Sequence, residues 1–476
     1  MKKLKKVFVY GNFNIIHPGH LRFLKFAKKL GDELIVGVYS DKYAAEFVFI
    51  QQKFRMEALK QNIYVDKVIL INSSIEKVIS KIKPDVVVKG KEHETKINPE
   101  EKIIKQKGGS LIFSSGETTF SSIDLIEKEL VQAPQKKFKI KKEFLKRYKI
   151  KLKKIEKCIK DFSKLRVLVI GDLIVDEYIF SDAVGMSRED PAIVIKPQKT
   201  KLFLGGAGIV AAHGANLNAK SYFISVANND IPGNFAKKVL AKYQVKAFLF
   251  LDKNRPTTLK KKYKVNNKTL FRVNELLQSS ISVNLQKKIF DKVKTLQNKI
   301  DLLIFSDFNY GVLPQELVNK ICKLFENTKV IISADSQSSS QSGNISRFKN
   351  INLITPTEYE ARISIRNHDD GLAIITSKLE KISGVKKILL KLGDDGIFIH
   401  EKTNKGVNNN IIPTFNNNPK DVAGAGDCFL ISSSLALTLK LNIWEISLIG
   451  SLAAAIQISK IGNIPLSSKE LINNLN

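Results

Sequence analysis

The sequence predicts an α/β protein of two domains, and three observations lead to this fold class. Short apolar runs alternate with amphipathic helical stretches, which is typical of parallel sheets covered by helices. This alternation occurs twice, on either side of one lysine-rich stretch. The chain of 476 residues is also about three times the length of a usual domain. We therefore expect a first domain at residues 1–130, a basic helical linker at 131–163 and a second domain at 164–476.

The strands of each domain are predicted from its apolar runs, taken in chain order. In the first domain they are KVFVYG, ELIVGVYS, DKVILI, PDVVVKG and GSLIFSS. In the second domain they are LRVLVIGD, DLLIFSD, KVIISAD, NLITPT and KKILLKLG, and a long helical segment follows them. Each series predicts a mainly parallel sheet with a ligand site at the carboxyl ends of its strands.

The composition indicates a cytoplasmic protein. Cys158, Cys322 and Cys428 lie far apart in the sequence, which fits a reducing compartment and argues against disulfides and a zinc site. No uninterrupted apolar run reaches the ~18 residues that span a bilayer, so no membrane partner is expected.

The net charge of +32 raises the question of a nucleic-acid partner. Between residues 136 and 164 there are 14 lysines and arginines against 3 acids. One interpretation is a basic arm that binds nucleic acid. The other is a solvated linker helix in a chain that is lysine-rich throughout, and we favour it because no aromatic RNA-binding motif accompanies the charge. We therefore expect no nucleic-acid partner.

The stretch GNFNIIHPGH follows the first strand and opens a helix. Backbone N–H groups at a helix start favour an anion, and His17 and His20 can donate hydrogen bonds to it. The stretch resembles the pattern Gly-x-Phe-Asp-x-x-His-x-Gly-His of the cytidylyltransferase-like nucleotidyltransferases, which implies a Rossmann-like fold. The resemblance implies that Gly11, Asn12 and Phe13 contact the nucleotide and that both histidines stabilise charge on its phosphates. A phosphate nucleophile is already ionised, so this reaction needs no general base.

Further matches to this family extend over most of residues 5–127. They imply nucleotide contacts from Arg55 in FRMEAL, Lys89 in PDVVVKGKEH, and Ser121 and Ser122 in TTFSSIDLI. Two departures stand out. Asn14 occupies the place of the family's Asp, and YAAEFVFIQQ replaces a loop that carries basic substrate contacts in relatives.

The second domain carries the stretch DVAGAGDCF before an apolar helical segment. Gly424, Ala425 and Gly426 leave helix N–H groups free to hold a transferring phosphoryl group. Asp427 can accept the proton of a sugar hydroxyl, which a phosphoryl transfer to an alcohol requires. The stretch resembles the signature of the ribokinase-like carbohydrate kinases, in which these residues form the anion hole and the base.

Other motifs of the second domain extend this resemblance. VIGDLIVDEY and LGGAGIVAAH imply sugar contacts from Asp172, Asp176, Gly205 and Gly206. The heptose-phosphate kinase branch is matched most closely, and it implies a β lid that reaches an anionic substrate through Glu189, Arg255, Lys260 and Arg272. Asp335, Lys391 and Gly393 are implied on the nucleotide side, and Glu360 as a magnesium ligand. Two departures are Ile209 and Thr357, each of which replaces an Asn of the family pattern.

Both parts together resemble the bifunctional ADP-heptose synthases, with the order of the domains reversed. This resemblance implies ATP-dependent phosphorylation of a heptose 7-phosphate at C1 and adenylyl transfer to the heptose 1-phosphate, with Mg²⁺ at both sites. The expected partners are a sugar phosphate and a nucleotide, and we expect a homodimer. Two alternatives stay open: a kinase fused to a cytidylyltransferase for another sugar or polyol phosphate, and a basic nucleic-acid-binding protein with inactive nucleotide folds.

Overall fold

The structure, a computed structural model, divides the chain into two compact units, Met1–Lys136 and Lys137–Asn476. It describes residues 5–14, 16, 18–43, 48, 50–90, 98, 100–114, 138, 140, 142–187, 189–265, 268–338, 343–416 and 418–475. Both units are α/β folds, so the predicted fold class is confirmed.

The first unit is built on one parallel sheet. Its strands are β1 (Lys6–Gly11), β2 (Glu33–Tyr39), β3 (Lys67–Ile71), β4 (Val86–Gly90) and β5 (Ser110–Ser114), in the order β3-β2-β1-β4-β5. Its helices are α1 (Pro18–Lys28), α2 (Gln52–Lys60), α3 (Ile75–Ile82) and α4 (Glu100–Gln106). Each strand coincides with an apolar run predicted from the sequence.

The apolar character of β1 follows from its central place in this sheet. Val7 and Val9 pack into one hydrophobic cluster and Phe8 into another, as the alternation of side chains along a strand requires. All three are fully buried, because helices cover both faces of the sheet.

The second unit contains two sheets among its described residues. Its strands are β6 (Arg166–Gly171), β7 (Leu173–Met186), β8 (Ile193–Gly205), β9 (Lys220–Ala227), β10 (Lys246–Leu251), β11 (Thr258–Val265), β12 (Lys268–Glu275), β13 (Leu302–Asp307), β14 (Ile331–Ser336), β15 (Leu353–Ile354), β16 (Lys387–Lys391), β17 (Ile397–Thr403) and β18 (Gly406–Ile412). The larger sheet has the order β10-β9-β6-β13-β14-β15-β16-β17-β18 and is parallel up to β16. The order β12-β11-β7-β8 defines the smaller sheet, which is the predicted lid.

Helices cover both faces of the larger sheet. They are α5 (Lys142–Arg147), α6 (Leu152–Asp161), α7 (Gly206–Asn216), α8 (Ile231–Lys242), α9 (Val283–Leu296), α10 (Gln315–Phe325), α11 (Glu358–Ile365), α12 (Leu372–Ser383), α13 (Ala425–Thr438), α14 (Ile443–Gln457) and α15 (Ser468–Asn473). Short 3₁₀ turns lie at Phe162–Lys164, Gln297–Lys299, Ile345–Arg347 and Gly393–Asp395. None of the helices in the described part of the chain is long and apolar enough to cross a membrane.

Helices α5 and α6 carry much of the basic stretch that the sequence analysis assigns to a linker, and they pack on the second unit. Ile155 and Ile159 of α6 are fully buried in its main hydrophobic core. The Lys154 ammonium lies 2.7 Å from the Glu445 carboxylate of α14. One face of α6 is therefore apolar and the lysines occupy the other face.

This packing predicts that Ile155→Ala destabilises the second unit by about 2–5 kcal/mol, because the change leaves a cavity in the core. Lys157→Ala, on the exposed face of the same helix, is the matched control and is expected to change the stability by less than about 0.5 kcal/mol. Urea unfolding measures both. Equal stability of the two variants would mean that the helix is a solvated linker.

Candidate active sites

The kinase site is centred on the first turn of α13. Gly424 precedes this helix with φ at +75°, and a Cβ built on it would lie 2.4 Å from Oδ1 of Asn463. Glycine is required here because the backbone is left-handed and the neighbouring amide leaves no room for a side chain. The turn directs the first N–H groups of α13 outward as a place for an anion.

Asp427 lies in this first turn and is buried, with 6% of its surface exposed. Its Oδ1 accepts a hydrogen bond of 3.2 Å from Nε2 of Gln337. Burial, together with the charge of Asp335, raises the pKa of Asp427 to about 7, against the effect of Lys391. A carboxylate with a pKa near neutrality is suited to accept a proton from a hydroxyl.

Asp335 and Lys391 lie beside Asp427, at the carboxyl ends of β14 and β16. The Nζ atom of Lys391 lies 2.7 Å from Oδ2 of Asp335. Burial raises the pKa of Asp335 to about 6, against the effect of Lys391. Oδ1 of Asp335 is buried and makes no hydrogen bond within the described residues.

Glu360, which the resemblance implies as a metal ligand, accepts backbone hydrogen bonds with both of its carboxylate oxygens. Its Oε1 accepts from the N–H of Ser338 at 3.0 Å and its Oε2 from the N–H of Thr357 at 2.7 Å. Thr357 in turn caps α11, so the two residues form a capping box. The described contacts of Glu360 are therefore structural, and its implied metal role stays a prediction. Across the described residues, no group of three or more His, Cys, Asp or Glu side chains is arranged to hold a metal ion.

A divalent cation nevertheless fits this site through Asp335. Its buried Oδ1 lacks a donor, and a carboxylate oxygen is a ligand that Mg²⁺ accepts. Magnesium in kinases is commonly held by one or two carboxylates and the substrate phosphates, so a preformed cluster is not required.

Asp176 of β7 lies on the sugar side of Asp427 and contributes to its raised pKa. Its Oδ1 lies 3.0 Å from Nζ of Lys262, and its Oδ2 accepts from Nδ2 of Asn463 at 3.1 Å. A Cβ on Gly205 would lie 2.7 Å from Oδ2 of Asp176, which explains the glycine there.

Lys260 lies near the same carboxylates, since it lowers the pKa of Asp427. Its ammonium lies 5.4 Å from the ring centroid of Phe308 and 5.1 Å from that of Tyr310. Lys262 and Lys264 follow on the same face of β11, because side chains alternate along a strand. Three lysines of the lid thus face the site.

Asp172 and Arg255 support a loop through backbone contacts, and the substrate contacts that the resemblance implies for them stay predictions. The Asp172 carboxylate accepts from the N–H of Phe308 at 2.8 Å and of Val312 at 3.2 Å. Arg255 donates to the carbonyls of Leu277 and Tyr310, both at 2.7 Å. Both groups are buried and bind backbone partners, so together they hold the loop that places Phe308 and Tyr310 under Lys260. Nε of Arg255 makes no hydrogen bond within the described residues and lies 3.6 Å from Oδ2 of Asp252.

The other predicted positions of the kinase domain lie in different environments. Glu189 is exposed in the turn between β7 and β8, and Arg272 is exposed on β12, opposite Lys262. Gly206 begins α7 with φ at +56°, and Gly393 follows β16 with φ at +62°. Ile209 is fully buried in the core, so this departure serves packing.

Several site residues were missed by the sequence analysis. Gln337 and Asn463 contact Asp427 and Asp176, and no local pattern identifies them because they come from distant segments. The lysines at alternate positions in TLKKKYKV were a usable signal for Lys262 and Lys264. Nζ of Lys264 lies 3.6 Å from Oδ2 of Asp421, the first residue of the DVAGAGD stretch.

The candidate nucleotidyltransferase site lies at the carboxyl end of β1. Gly11 ends this strand, and Phe13 follows with φ at +49°. The Phe13 ring lies 5.1 Å from the His20 ring, centroid to centroid, which places His20 in the first turn of α1 beside this loop. Asn14 is buried next to it. The predicted residues His17, Ser121 and Ser122 lie outside the described residues.

Arg55 holds this loop in place through four hydrogen bonds of its guanidinium, and its implied role as a nucleotide contact stays a prediction. It donates to the carbonyls of Asn12 at 2.6 Å, Tyr39 at 2.9 Å and Ile50 at 2.7 Å. Asp41 accepts a further hydrogen bond of 2.7 Å. The side chain is 1% exposed, so Arg55 joins the ends of β1 and β2 from below the site.

Lys89 lies at the carboxyl end of β4 in a partly buried polar cluster. Its Nζ lies 2.5 Å from Oε1 of Glu100 and 2.7 Å from Oδ1 of Asn98. The Tyr10 hydroxyl donates to the same Glu100 oxygen at 2.6 Å. Burial opposes ionisation of Glu100, but hydrogen bonds from Lys89 and Tyr10 hold its pKa below the ordinary value. The charge of Lys89 is thus paired within the protein.

The folds and these two sites define a ribokinase-type kinase joined to a nucleotidyltransferase fold. Residues 164–470 match the family of pfkB family carbohydrate kinases, and residues 8–111 match the cytidylyltransferase-like family. The chain therefore belongs to the pfkB family of carbohydrate kinases and carries a cytidylyltransferase-like domain ahead of the kinase domain. Both family resemblances drawn from the sequence are confirmed.

Similar proteins extend these matches. Bifunctional protein HldE of Helicobacter acinonychis (strain Sheeba) is 30% identical over 315 residues, which cover 65% of this chain and 66% of that protein. The same-named protein of a Nitratiruptor species is 28% identical over 312 residues, with coverages of 65% and 64%. The chain matches less than two thirds of the length of these relatives. The solved ribokinase of Thermotoga maritima, at 21% identity and a TM-score of 0.52, covers 65% of this chain and 99% of its own and shares the fold.

The contacts of Arg55 predict that Arg55→Ala lowers the stability of the first unit by about 2–4 kcal/mol, because buried carbonyls lose their donor. Lys53→Ala, at an exposed position of the same helix, is expected to change the stability by less than about 0.5 kcal/mol. Thermal unfolding of both variants is the measurement. Unchanged stability with a raised KM for nucleotide would instead assign Arg55 to substrate binding.

The environment of Asp427 predicts opposite effects of Asp427→Asn on activity and stability. Loss of the base is expected to lower kcat for phosphorylation by about 10²–10⁴-fold. The folded pKa of about 7 lies above the ordinary value of 3.8, so this carboxyl favours the folded state at low pH and that contribution is lost as the pH rises through 7. At pH 8 the Asn variant should therefore melt at the same temperature as the parent or higher. A clear fall in Tm would contradict this account of the site.

Proposed function

We propose that this protein makes an activated sugar in two steps: ATP-dependent phosphorylation of a sugar phosphate at C1, and transfer of a nucleotidyl group to the resulting sugar 1-phosphate. The observation that carries the proposal is Asp427, a buried carboxylate with a pKa of about 7, at the start of α13 in a pfkB-family domain. The cytidylyltransferase-like domain on the same chain supports the second step.

In the first step, Asp427 takes the proton of the C1 hydroxyl. The C1 oxygen then attacks the γ-phosphorus of ATP, the bond from that phosphorus to the bridging oxygen breaks, and ADP leaves. The N–H groups at the start of α13 hold the phosphoryl oxygens during transfer. Asp335 would hold Mg²⁺, which neutralises phosphate charge when it is bound. Asp176 and Lys262 orient the sugar hydroxyls.

In the second step, a phosphate oxygen of the sugar 1-phosphate attacks the α-phosphorus of the nucleotide, and pyrophosphate leaves. No general base is needed because the nucleophile is ionised near neutral pH. His20 and the N–H groups at the start of α1 donate to the phosphates, and His17 is assigned the same role. The resemblance of TTFSSIDLI to the family pattern supports the same role for Ser121 and Ser122.

The proposed substrate is a heptose 7-phosphate and the proposed product is ADP-heptose, with ATP as the nucleotide at both sites. The relatives named bifunctional protein HldE support this choice. The three lysines of β11, Lys260, Lys262 and Lys264, supply charge suited to a sugar that already carries a phosphate. We further propose that the protein acts in the cytoplasm as a homodimer.

A coupled assay tests both steps. The protein is incubated with a heptose 7-phosphate, ATP and Mg²⁺, then with a phosphatase specific for the 7-position, and the products are identified by mass. We expect a heptose bisphosphate and then ADP-heptose. Absence of the bisphosphate would refute the kinase step, and preference for CTP over ATP in the second step would favour a cytidylyltransferase.

The two activities are expected to be separable by mutation. Asp427→Asn should abolish phosphorylation and leave nucleotidyl transfer from a supplied sugar 1-phosphate unchanged, because the residue lies in the second unit. His20→Ala should lower nucleotidyl transfer by about 10²–10³-fold, the usual cost of a lost charge-stabilising donor, and spare phosphorylation. Loss of both activities in either variant would contradict two independent sites.

A further inference from the structure

The ammonium of Lys391 occupies a buried position beside the start of α13. Lys391 is the last residue of β16, and its side chain is 13% exposed. A Cβ built on Gly426, in the first turn of α13, would lie 3.2 Å from Nζ of Lys391. Glycine at 426 thus leaves open the space between the ammonium and the free N–H groups of the helix.

Asp335 fixes the position of this ammonium and leaves part of its hydrogen-bonding capacity available. Among the residues that the structure describes, Nζ of Lys391 makes one hydrogen bond, of 2.7 Å to Oδ2 of Asp335. An ammonium has three donors, so two remain for a ligand. The other nearby carboxylates are engaged elsewhere, since Glu360 accepts backbone N–H groups and Asp427 accepts from Gln337.

The ammonium forms an ion pair of 2.7 Å with Asp335 and lies beside the first turn of α13. A lysine is also a compact point charge with donors in several directions, which suits a phosphoryl group whose oxygens move during transfer.

We infer that Lys391 is a catalytic residue of the kinase step, which donates hydrogen bonds to the transferring phosphoryl group opposite the N–H groups of α13. Asp335 is the positioning residue that directs it. This inference rests on the proposed function and adds a residue to it. Lys391 keeps its proton throughout the step: the C1 proton goes to Asp427, the bond from the C1 oxygen to phosphorus forms, and ADP leaves with the electrons of the broken bond.

The alternative is a salt bridge that only stabilises the fold. A ligand contact and a structural pair differ in one measurable respect, because the phosphoryl group that is transferred is present in ATP and absent from ADP. A contact with that group affects binding of an ATP analogue and leaves ADP binding unchanged. A structural role changes both alike or neither.

The test compares Lys391→Met with Lys387→Met. Lys387 lies on the same strand and also forms an ion pair of 2.7 Å, with Glu401, away from the site. For each variant, kcat, KM and Tm are measured, with the binding of β,γ-methylene-ATP and of ADP to the full chain. The first unit is identical in all variants, so any difference in nucleotide binding reports the kinase site.

Lys391→Met is expected to lower kcat by about 100-fold, the typical effect of removing one charge-stabilising donor. It should also weaken the binding of β,γ-methylene-ATP by about tenfold and change ADP binding by less than about twofold. Lys387→Met is expected to behave like the parent in every assay. If Lys391→Met does not fold, Lys391→Gln, which keeps a hydrogen bond to Asp335, takes its place.

Equal weakening of both nucleotides, or a kcat like that of the Lys387 control, would overturn the assignment. This outcome is distinguishable from failure of the proposed function. A parent protein that phosphorylates no sugar phosphate refutes the proposed function, whereas the contrast between the ATP analogue and ADP still decides whether Lys391 faces the terminal phosphate.

Discussion

The kinase domain depends on holding buried carboxylates next to one ammonium at the edge of a parallel sheet. Asp335 and Asp427 both lose their hydration there, and burial raises the pKa of each. Lys391 compensates part of that cost, and the sheet order makes the contact feasible. Strands β14 and β16 are separated by β15, which corresponds to about 10 Å between their axes. The Lys391 side chain, the Asp335 side chain and the hydrogen bond of 2.7 Å between them together span that gap.

The same edge of the sheet collects the groups that perform different tasks. The strand ends supply charge, the start of α13 supplies N–H groups, and the lid supplies lysines above them. The loop at Phe308 and Tyr310 is held by hydrogen bonds between its backbone and the side chains of Asp172 and Arg255. Buried charged residues thus hold the backbone of the loops around the site. Arg55 has the same structural role in the first unit. The described residues of each site come from a single unit.

The sequence was sufficient for the fold class and for ten of the 18 strands in the described residues, but its apolar runs did not include β7 to β12, β17 and β18. Apolar runs bounded by turns predicted ten strands at their observed places, and a Gly-Ala-Gly turn before an Asp predicted the start of α13. The sequence did not predict which partners the charged side chains contact. Asp172, Arg255 and Arg55 occupy motif positions, but whether a buried guanidinium meets a ligand or a carbonyl depends on the backbone around it. The pairing of Asp335 with Lys391 depends on the strand order of the sheet, which local sequence patterns do not contain. The lysines of α6 led to the prediction of a solvated helix, although one face of this helix is buried.

The bonding of Arg55 has a consequence for how this protein can vary in sequence. Three of its four acceptors are backbone carbonyls, at positions 12, 39 and 50, and every residue type carries a carbonyl. Side chains at those positions can therefore change while the junction of β1 and β2 keeps its shape. The arginine itself has no equivalent replacement, because no other side chain reaches three separate segments with a planar set of donors. The geometry of the first candidate nucleotide site thus depends on one arginine whose described contacts lie within the protein, while the side chains around it can differ.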